Sequence, residues 1–269
     1  LRGKGWRQRL AAPVQLLRAL WQSWRVLRKH RPGVVLGMGG FVAGPAGLLS
    51  SLLRVPLVIH EQNAIPGLTN RLLAAWARRV VVAFPNRLRR GVHVGNPIRP
   101  EITELPPPEQ RFAQRTGPLR MLVLGGSLGA QRLNQVVPAA LALLAPEARP
   151  DIWHQTGQKL HTATVAQYAQ QQVTARVMPY IDDMAAALAW ADVAICRAGA
   201  MTISELAAVG LGAILVPYPH AVDDHQTANA EYLVAAGAAL RVADANLTPA
   251  VLAELWRNSS RALWLQRAQ

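Results

Sequence analysis

Short runs of β-branched and aliphatic residues, each ending in glycine or proline and each followed by a helically spaced stretch, recur along nearly the whole chain. This alternation restricts the fold more than any other feature, because repeated strand–loop–helix units build parallel sheets with helices on both faces. After a helix over residues 6–30, in which Leu10, Val14, Leu17, Trp21 and Trp24 recur at intervals of three and four, the pattern predicts a strand at 34–36. A glycine loop at 37–40 follows, then a helix at 45–53, a strand at 56–60, a helix at 67–76 and strands at 80–84 and 92–95. The series repeats with strands at 119–124, 151–155, 175–178, 192–196 and 213–217, and helices at 131–144, 159–170, 182–190, 202–209 and 224–236.

Between the two series lies Pro97 to Pro108, with five prolines, read as the linker. The expected architecture is therefore α/β: two doubly wound, Rossmann-like parallel-sheet domains facing across a cleft, divided as 1–98 and 99–269. A length of 269 residues suits two such domains, and 51% apolar with 16% charged residues excludes a disordered chain. The single cysteine, Cys196, excludes a disulfide framework or a cysteine-based zinc cluster. Residues 32–53 carry no charge, yet glycines and two prolines cut the stretch, so a strand, loop and helix fit better than a membrane span. The chain opens at Leu1 inside a helical pattern, which reads as a piece of a longer protein.

Charge separates the halves. Residues 1–100 hold seventeen Lys/Arg and one acid, Glu61; the rest hold twelve basic and fourteen acidic residues. A basic half of this kind selects a polyanion, whether membrane surface, nucleic acid or phosphorylated substrate. An arginine-rich composition contributes too, but it cannot account for acids missing from one half only.

The polar residues cluster at strand ends, where ligands of open parallel sheets bind. Glycine loops at 37–40 and 125–129 offer backbone N–H groups and a helix start to an anion, although tight β–α turns need glycine for structural reasons alone. Neither is a Walker loop. The run from Cys196 to Glu205 places small residues, then Thr202, Ser204 and Glu205, at a helix start, where Glu205 could take both ribose hydroxyls or serve as first-turn acid. Tyr218, His220, Asp223, Asp224, His225, Gln226 and Asn229 suit an array reading sugar hydroxyls. His60 and Glu61 end another strand, and Glu61 either fixes an arginine or is functional. No metal-ligand spacing is present.

Taken in order, Leu36-Gly37-Met38-Gly39-Gly40-Phe41, His60-Glu61-Gln62-Asn63, Gly95-Asn96-Pro97-Ile98-Arg99, Gly125 to Ala130, Tyr180-Ile181-Asp182-Asp183-Met184, Arg197-Ala198-Gly199-Ala200 and His225-Gln226 resemble the MurG family of bacterial glycosyltransferases across essentially the whole chain. The resemblance implies a GT-B fold. It also implies inverting transfer of N-acetylglucosamine from UDP-N-acetylglucosamine to the C4 hydroxyl of the undecaprenyl-diphosphate-linked N-acetylmuramoyl-pentapeptide, lipid I to lipid II. That places the chain in peptidoglycan synthesis, cell wall biogenesis, cell shape and cell division, with no cofactor and no metal.

By motif, the resemblance assigns Asn63 to the donor, Arg99 and Ser127 to its diphosphate, and the Ile181 backbone to uracil. Ala200, Met201, Thr202, Ile203, Ser204 and Glu205 would line the nucleotide-sugar site, with Glu205 on the ribose and Gln226 on the sugar. Gly37, Gly39 and Gly40 would lie near the acceptor diphosphate. Trp6, Arg7, Leu17, Trp21, Trp24 and Arg25 would rest on the anionic cytoplasmic face of the inner membrane, as a peripheral contact. Family members begin with a strand and a Gly-Gly-Thr-Gly-Gly-His loop whose histidine is a candidate general base. Neither that segment nor the family's final helices are found here, so the resemblance implies a fragment inactive until its ends are restored, with His60 and Glu61 the remaining base candidates.

Two other readings stay open on the residues. One is a different UDP-sugar enzyme of the same fold, such as a glycolipid transferase or a UDP-N-acetylglucosamine 2-epimerase. The other is a basic nucleic-acid-binding protein, which no helix-turn-helix, RRM or zinc pattern supports.

Overall fold

The structure is a computed structural model that describes residues 6–269, with side chains from residue 13 onward. Trp6 and Arg7 of the expected membrane contact therefore have side chains outside the described residues. The chain divides into two compact units, the first ending at Asn96 and the second running from Pro97 to Gln269.

In the first unit α1 (Trp6–His30) precedes β1 (Val35–Gly37), α2 (Gly40–Leu52), β2 (Leu57–Glu61), α3 (Leu68–Leu73), β3 (Arg79–Val82) and β4 (Gly91–His93). The strands lie in the order β1-β2-β3-β4, all parallel. Leu57, Ile59, Val80 and Val82 bury their side chains against Leu73, Ala74 and Ala77 of the α3 segment. Helix α2 starts at Gly40, five residues before the start expected from sequence, and runs through Gly44, Pro45 and Gly47. Gly47 is a packing gap rather than a breaker: a Cβ there would lie 2.6 Å from Leu73 Cδ1.

The second unit contains α4 (Pro100–Thr103), α5 (Pro108–Phe112), β5 (Arg120–Leu124), α6 (Gln131–Ala142), β6 (Asp151–Gln155), α7 (His161–Gln170), β7 (Arg176–Met178) and α8 (Met184–Trp190). There follow β8 (Val193–Cys196), α9 (Ala200–Val209), β9 (Ala213–Leu215), α10 (His225–Ala235), β10 (Ala239–Arg241), α11 (Pro249–Arg257) and α12 (Arg261–Ala268). All six strands are parallel, in the order β10-β9-β8-β5-β6-β7. From β5 the chain steps outward to β6 and β7, then returns to β8 on the other side of β5. That reversal opens a crevice beyond the carboxyl ends of β5 and β8. Met121, Leu122 and Val123 are buried in succession, as in a strand covered on both faces.

Two parts of this unit depart from the sequence expectation. The proline-rich segment is no free linker, because Pro100 and Pro108 each occupy the first position of a short helix, where a missing N–H costs nothing. Ile102 from it is buried, as is Phe112 at the end of α5, and Arg111 of α5 donates to the carbonyls of Leu188, Val209 and Gly210. Burial lowers the Arg111 guanidinium to about 10. Strand β10 and helices α11 and α12 fall outside the elements expected from sequence.

Two buried polar networks hold this unit. Asp192, 0% exposed at the start of β8, accepts from Arg115, from Arg261 Nε at 3.1 Å and from the Arg120 N–H at 3.0 Å. Arg261 also donates to the Pro118 carbonyl at 2.8 Å, which ties α12 to the entry of β5. In the core, His154 Nε2 faces Asn134 Oδ1 at 3.0 Å and Nδ1 faces the Tyr168 hydroxyl at 2.9 Å. Burial lowers its imidazole to about 3, so the ring is neutral.

Removing the buried Asp192 carboxylate leaves Arg115 and Arg261 unpaired, and Asp192→Ala is expected to cost about 3 kcal/mol. In urea unfolding followed by fluorescence, Arg257→Ala, which breaks an exposed pair with Glu254 and an exposed hydrogen bond to the Leu143 carbonyl, should shift stability by less than about 1 kcal/mol. For His154 the unfolded chain takes up a proton near pH 6.5 and the folded chain only near pH 3. Its contribution is therefore complete above pH 6.5 and falls by about 1.4 kcal/mol per pH unit below it. The unfolding free energy of His154→Gln, compared with the unmutated protein from pH 7 to 4.5, should lack that slope.

Candidate functional site

The loop after β5 is shaped by contacts that only glycine allows. Gly126 and Gly129 have φ of +76° and +80°, and a Cβ on Gly129 would lie 2.0 Å from the Thr156 carbonyl oxygen. Across from it Gly157, φ +80°, leaves 2.4 Å between its would-be Cβ and the Gly129 nitrogen. The Gly129 N–H donates to the Gly126 carbonyl at 3.1 Å and closes the turn, after which α6 starts with no side-chain cap. The orphan amides of that helix start are what an anion meets.

A concavity of about 840 Å³ opens in front of this loop. Ser127, Thr202 and Gln226, all expected site residues, line it together with Arg197, Tyr218 and Asp244. Gln226 Oε1 accepts from the Tyr218 N–H at 2.9 Å, which aims the carboxamide and leaves its Nε2 as a donor. Arg197 pairs with Asp244, donates to the Val216 and Pro217 carbonyls, and lies over the Tyr218 ring at 5.6 Å. It therefore builds the wall rather than offering a free charge. Asp223 and Asp224, both at φ 52°, turn the chain into α10 and set Gln226 in its first turn.

Of helix α9 only Thr202 lines this concavity; the other expected residues of the helix, with Arg99 and Ile181, lie outside its lining. Ala200 and Ile203 are buried, so only their backbone can meet a ligand, whereas Met201 is exposed and Thr202 and Ser204 are half-buried. Glu205 sits 3.6 Å from Arg99 Nη2, so the two residues expected on ribose and diphosphate form an ion pair. Burial raises the Glu205 carboxyl above its ordinary value and Arg99 pulls it partly back. Ile181 is buried and its N–H donates to Gln155 Oε1 at 3.0 Å.

Expected residues of the first unit lie at the ends of β1 and β2. Gly39 and Gly40 have φ of +83° and +71° and open α2, and Gly37 ends β1. Glu61, 3% exposed, is not paired to an arginine among the described residues: Oε1 accepts from the Asn63 N–H at 3.0 Å, and Oε2 from the Gly67 N–H at 3.0 Å and Asn70 Nδ2 at 2.8 Å. It orders the loop that carries Asn63. His60 Nε2 donates to the Gly95 carbonyl at 2.9 Å. Both oxygens of Glu61 are thus engaged in holding the loop, whereas the Nδ1 of His60 is buried with no hydrogen-bond partner among the described residues. On α1, Leu17, Trp21 and Trp24 are exposed, at 67%, 55% and 40%, and Arg25 and Arg28 stack over the two indoles at 4.8 and 5.6 Å.

Arg197, Asp244, Gln155 and the Asn134–His154 pair were not singled out from sequence for a role at this site. The available signal was a polar residue ending an apolar strand, as Gln155 does for β6. Among the described residues no group of three His, Cys, Asp or Glu could hold a metal ion.

Residues 1–82 match the glycosyltransferase family 28 N-terminal domain, and residues 120–261 match the glycosyltransferase family 28 C-terminal domain. The UDP-N-acetylglucosamine--N-acetylmuramyl-(pentapeptide) pyrophosphoryl-undecaprenol N-acetylglucosamine transferase of Dechloromonas aromatica is 53% identical over 269 residues, 100% of this chain and 76% of the relative. The protein of the same name from Burkholderia cenocepacia is 56% identical over 266 residues, 97% of this chain and 72% of the relative. The crystal structure of Acinetobacter baumannii MurG superposes with a TM-score of 0.84 at 41% identity, covering 96% of this chain and 74% of that one. The two parallel-sheet units are of the GT-B type, and the chain belongs to glycosyltransferase family 28, in its MurG branch.

Proposed function

We infer that the chain is an N-acetylglucosaminyltransferase of peptidoglycan synthesis, moving N-acetylglucosamine from UDP-N-acetylglucosamine to undecaprenyl-diphosphate-linked N-acetylmuramoyl-pentapeptide, lipid I to lipid II. The observation that carries this reading is the concavity at the switch point of the second sheet. There an anion-ready glycine loop, a helix start and the Gln226 carboxamide face one space.

The chemistry follows from those groups. The acceptor C4 hydroxyl gives its proton to a general base as its oxygen attacks the anomeric carbon, the bond to the diphosphate oxygen breaks, and UDP departs with the electron pair. Negative charge grows on the diphosphate, so fixed N–H dipoles at the 125–129 loop and the α6 start favour the transition state over the ground state. Arg99 adds positive charge once Glu205 turns from it to ribose hydroxyls. Gln226 Nε2 is placed to read a sugar hydroxyl. Asn63 is assigned to the donor, and the amides at Gly37, Gly39 and Gly40 serve the acceptor diphosphate.

The acceptor's polyprenyl anchor requires the enzyme to work at a bilayer. No helix among the described residues is long and apolar enough to cross a membrane. The reading is of peripheral contact with the cytoplasmic face of the inner membrane through α1. Its exposed Leu17, Trp21 and Trp24 enter the interface while Arg25 and its neighbours meet anionic headgroups.

In transfer assays with labelled UDP-N-acetylglucosamine and a lipid I acceptor, using protein expressed from its full coding sequence, Glu205→Ala and Gln226→Ala should each raise the donor KM about tenfold. The acceptor KM should stay unchanged, and unaltered donor kinetics in both variants refute the site. Product formed from the donor without any lipid acceptor would indicate an epimerase instead. In vesicle sedimentation, binding to phosphatidylglycerol-containing vesicles should exceed binding to phosphatidylcholine vesicles and weaken with salt. Arg18→Gln plus Arg25→Gln should remove about 2 kcal/mol of it, at roughly 1 kcal/mol per arginine.

A further inference from the structure

Gln155 is the last residue of β6, the strand that lies between β5 and β7, and it is 3% exposed. Its carboxamide is divided between the two neighbouring loops. Nε2 donates to the Gly126 carbonyl at 3.1 Å, in the loop after β5, and Oε1 accepts from the Ile181 N–H at 3.0 Å, in the loop after β7. One partner is an acceptor and the other a donor, so only one orientation of the amide satisfies both.

The two bonds orient two peptide planes. The Gly126 carbonyl receives Gln155 Nε2 on one side and the Gly129 N–H on the other, which occupies both of its lone pairs. Because a trans peptide is planar, the Ser127 N–H must point away from Gln155, on the side opposite that carbonyl. Ser127 lines the concavity. Without Gln155 the peptide could rotate and present its carbonyl to an incoming anion, turning an attraction into a repulsion. At the other end, Gln155 Oε1 fixes the Tyr180–Ile181 peptide by its N–H. With that N–H engaged, the planar trans peptide turns the Tyr180 carbonyl to the opposite side, where a base edge can donate to it.

We propose that Gln155 is a positioning residue for the nucleotide, a rigid strut that makes the diphosphate loop and the base-reading backbone one frame. The inference rests on the reading of Ser127 as a diphosphate contact and Ile181 as a base contact. The residues around the strut support rigidity: Asn134 Nδ2 donates to the Thr156 carbonyl at 3.0 Å, and the Thr156 and Gly157 N–H groups donate to the carbonyls of Met178 and Pro179. A strut has a consequence that simple contact with one half of the ligand lacks. It makes the affinity for the joined ligand depend on both bonds, while a ligand with only the base depends on one.

The test separates the two arms with Gln155→Glu, whose carboxylate keeps an acceptor for the Ile181 N–H and loses the donor to Gly126, and Gln155→Met, which keeps the shape and loses both. The probes are UDP by calorimetry and uridine by NMR titration at neutral pH. Gln155→Glu should weaken UDP about tenfold and uridine less than about twofold, so the UDP-to-uridine affinity ratio falls at least fivefold. Gln155→Met should weaken UDP further and uridine severalfold. An unchanged ratio in Gln155→Glu, or UDP affinity retained in either variant, overturns the strut. A merely structural role would lower the unfolding temperature of Gln155→Glu and leave the ratio as it was. Absence of UDP binding to the unmutated protein is a different failure, because it removes the nucleotide reading itself.

Discussion

Gly129 and Gly157 meet closer than any side chain permits, and the anion-facing end of the second sheet depends on that meeting. A Cβ on Gly129 would lie 2.0 Å from the Thr156 carbonyl oxygen, and one on Gly157 would lie 2.4 Å from the Gly129 nitrogen. The contact draws the loop after β5 onto the end of β6. There Gln155 and Asn134 can reach across, and the amides at the α6 start are left facing outward. The glycines thus serve less as flexible hinges than as the residues whose missing side chains admit neighbouring backbone. Once that approach is made, fixed dipoles need no reorganisation when charge develops on a bound anion.

The same unit shows why a site of this type stays in place. Its floor is a continuous apolar core, and a buried polar chain at its centre is satisfied by protein partners. The neutral His154 ring links Tyr168 to Asn134, and Asn134 grips the Thr156 carbonyl. A chain of bonds therefore runs from the buried sheet to the loop itself. At the other end of the sheet, Asp192 gathers Arg115 and Arg261 beneath the amino ends of the strands. Stability is concentrated away from the carboxyl ends, which are free to carry polar residues aimed at a ligand.

Much of this was legible beforehand, and the reasons differ from place to place. Five of the six strands of the second unit, all but β10, could be read because a parallel strand covered on both faces is an unbroken apolar run, as at Met121–Leu124. The glycine loop at 125–129 and the polar string at 218–229 fell at strand ends for the same reason. The early start of α2 could not be read, because Gly47 looks like a breaker until Leu73 is seen against it. The packed helices α4 and α5 looked like linker, because proline is equally common in a loop and at the first position of a helix. Gln155 was invisible as a strut, since its two partners are backbone groups of loops 29 and 26 residues away, and a backbone partner leaves no mark in sequence.

Charge in the first unit follows a similar logic. Glu61 is the single acid among the first hundred residues, and its two oxygens are taken by the Asn63 and Gly67 amides and by Asn70. No carboxylate in that stretch is left to neutralise its arginines, and apart from Arg99, which pairs with Glu205, their field extends into solvent. The lone acid therefore has a double effect: it shapes the loop that presents Asn63, and by being so engaged it leaves the positive field intact. A second acid placed on the exposed face of α1 would pair with Arg18, Arg25 or Arg28 at the helical spacing of three or four. That would weaken attraction to an anionic surface without touching the core, because only Leu27 among the described side chains of α1 is buried. The scarcity of acids thus keeps the basic field of the unit open, an electrostatic property carried by what the sequence leaves out.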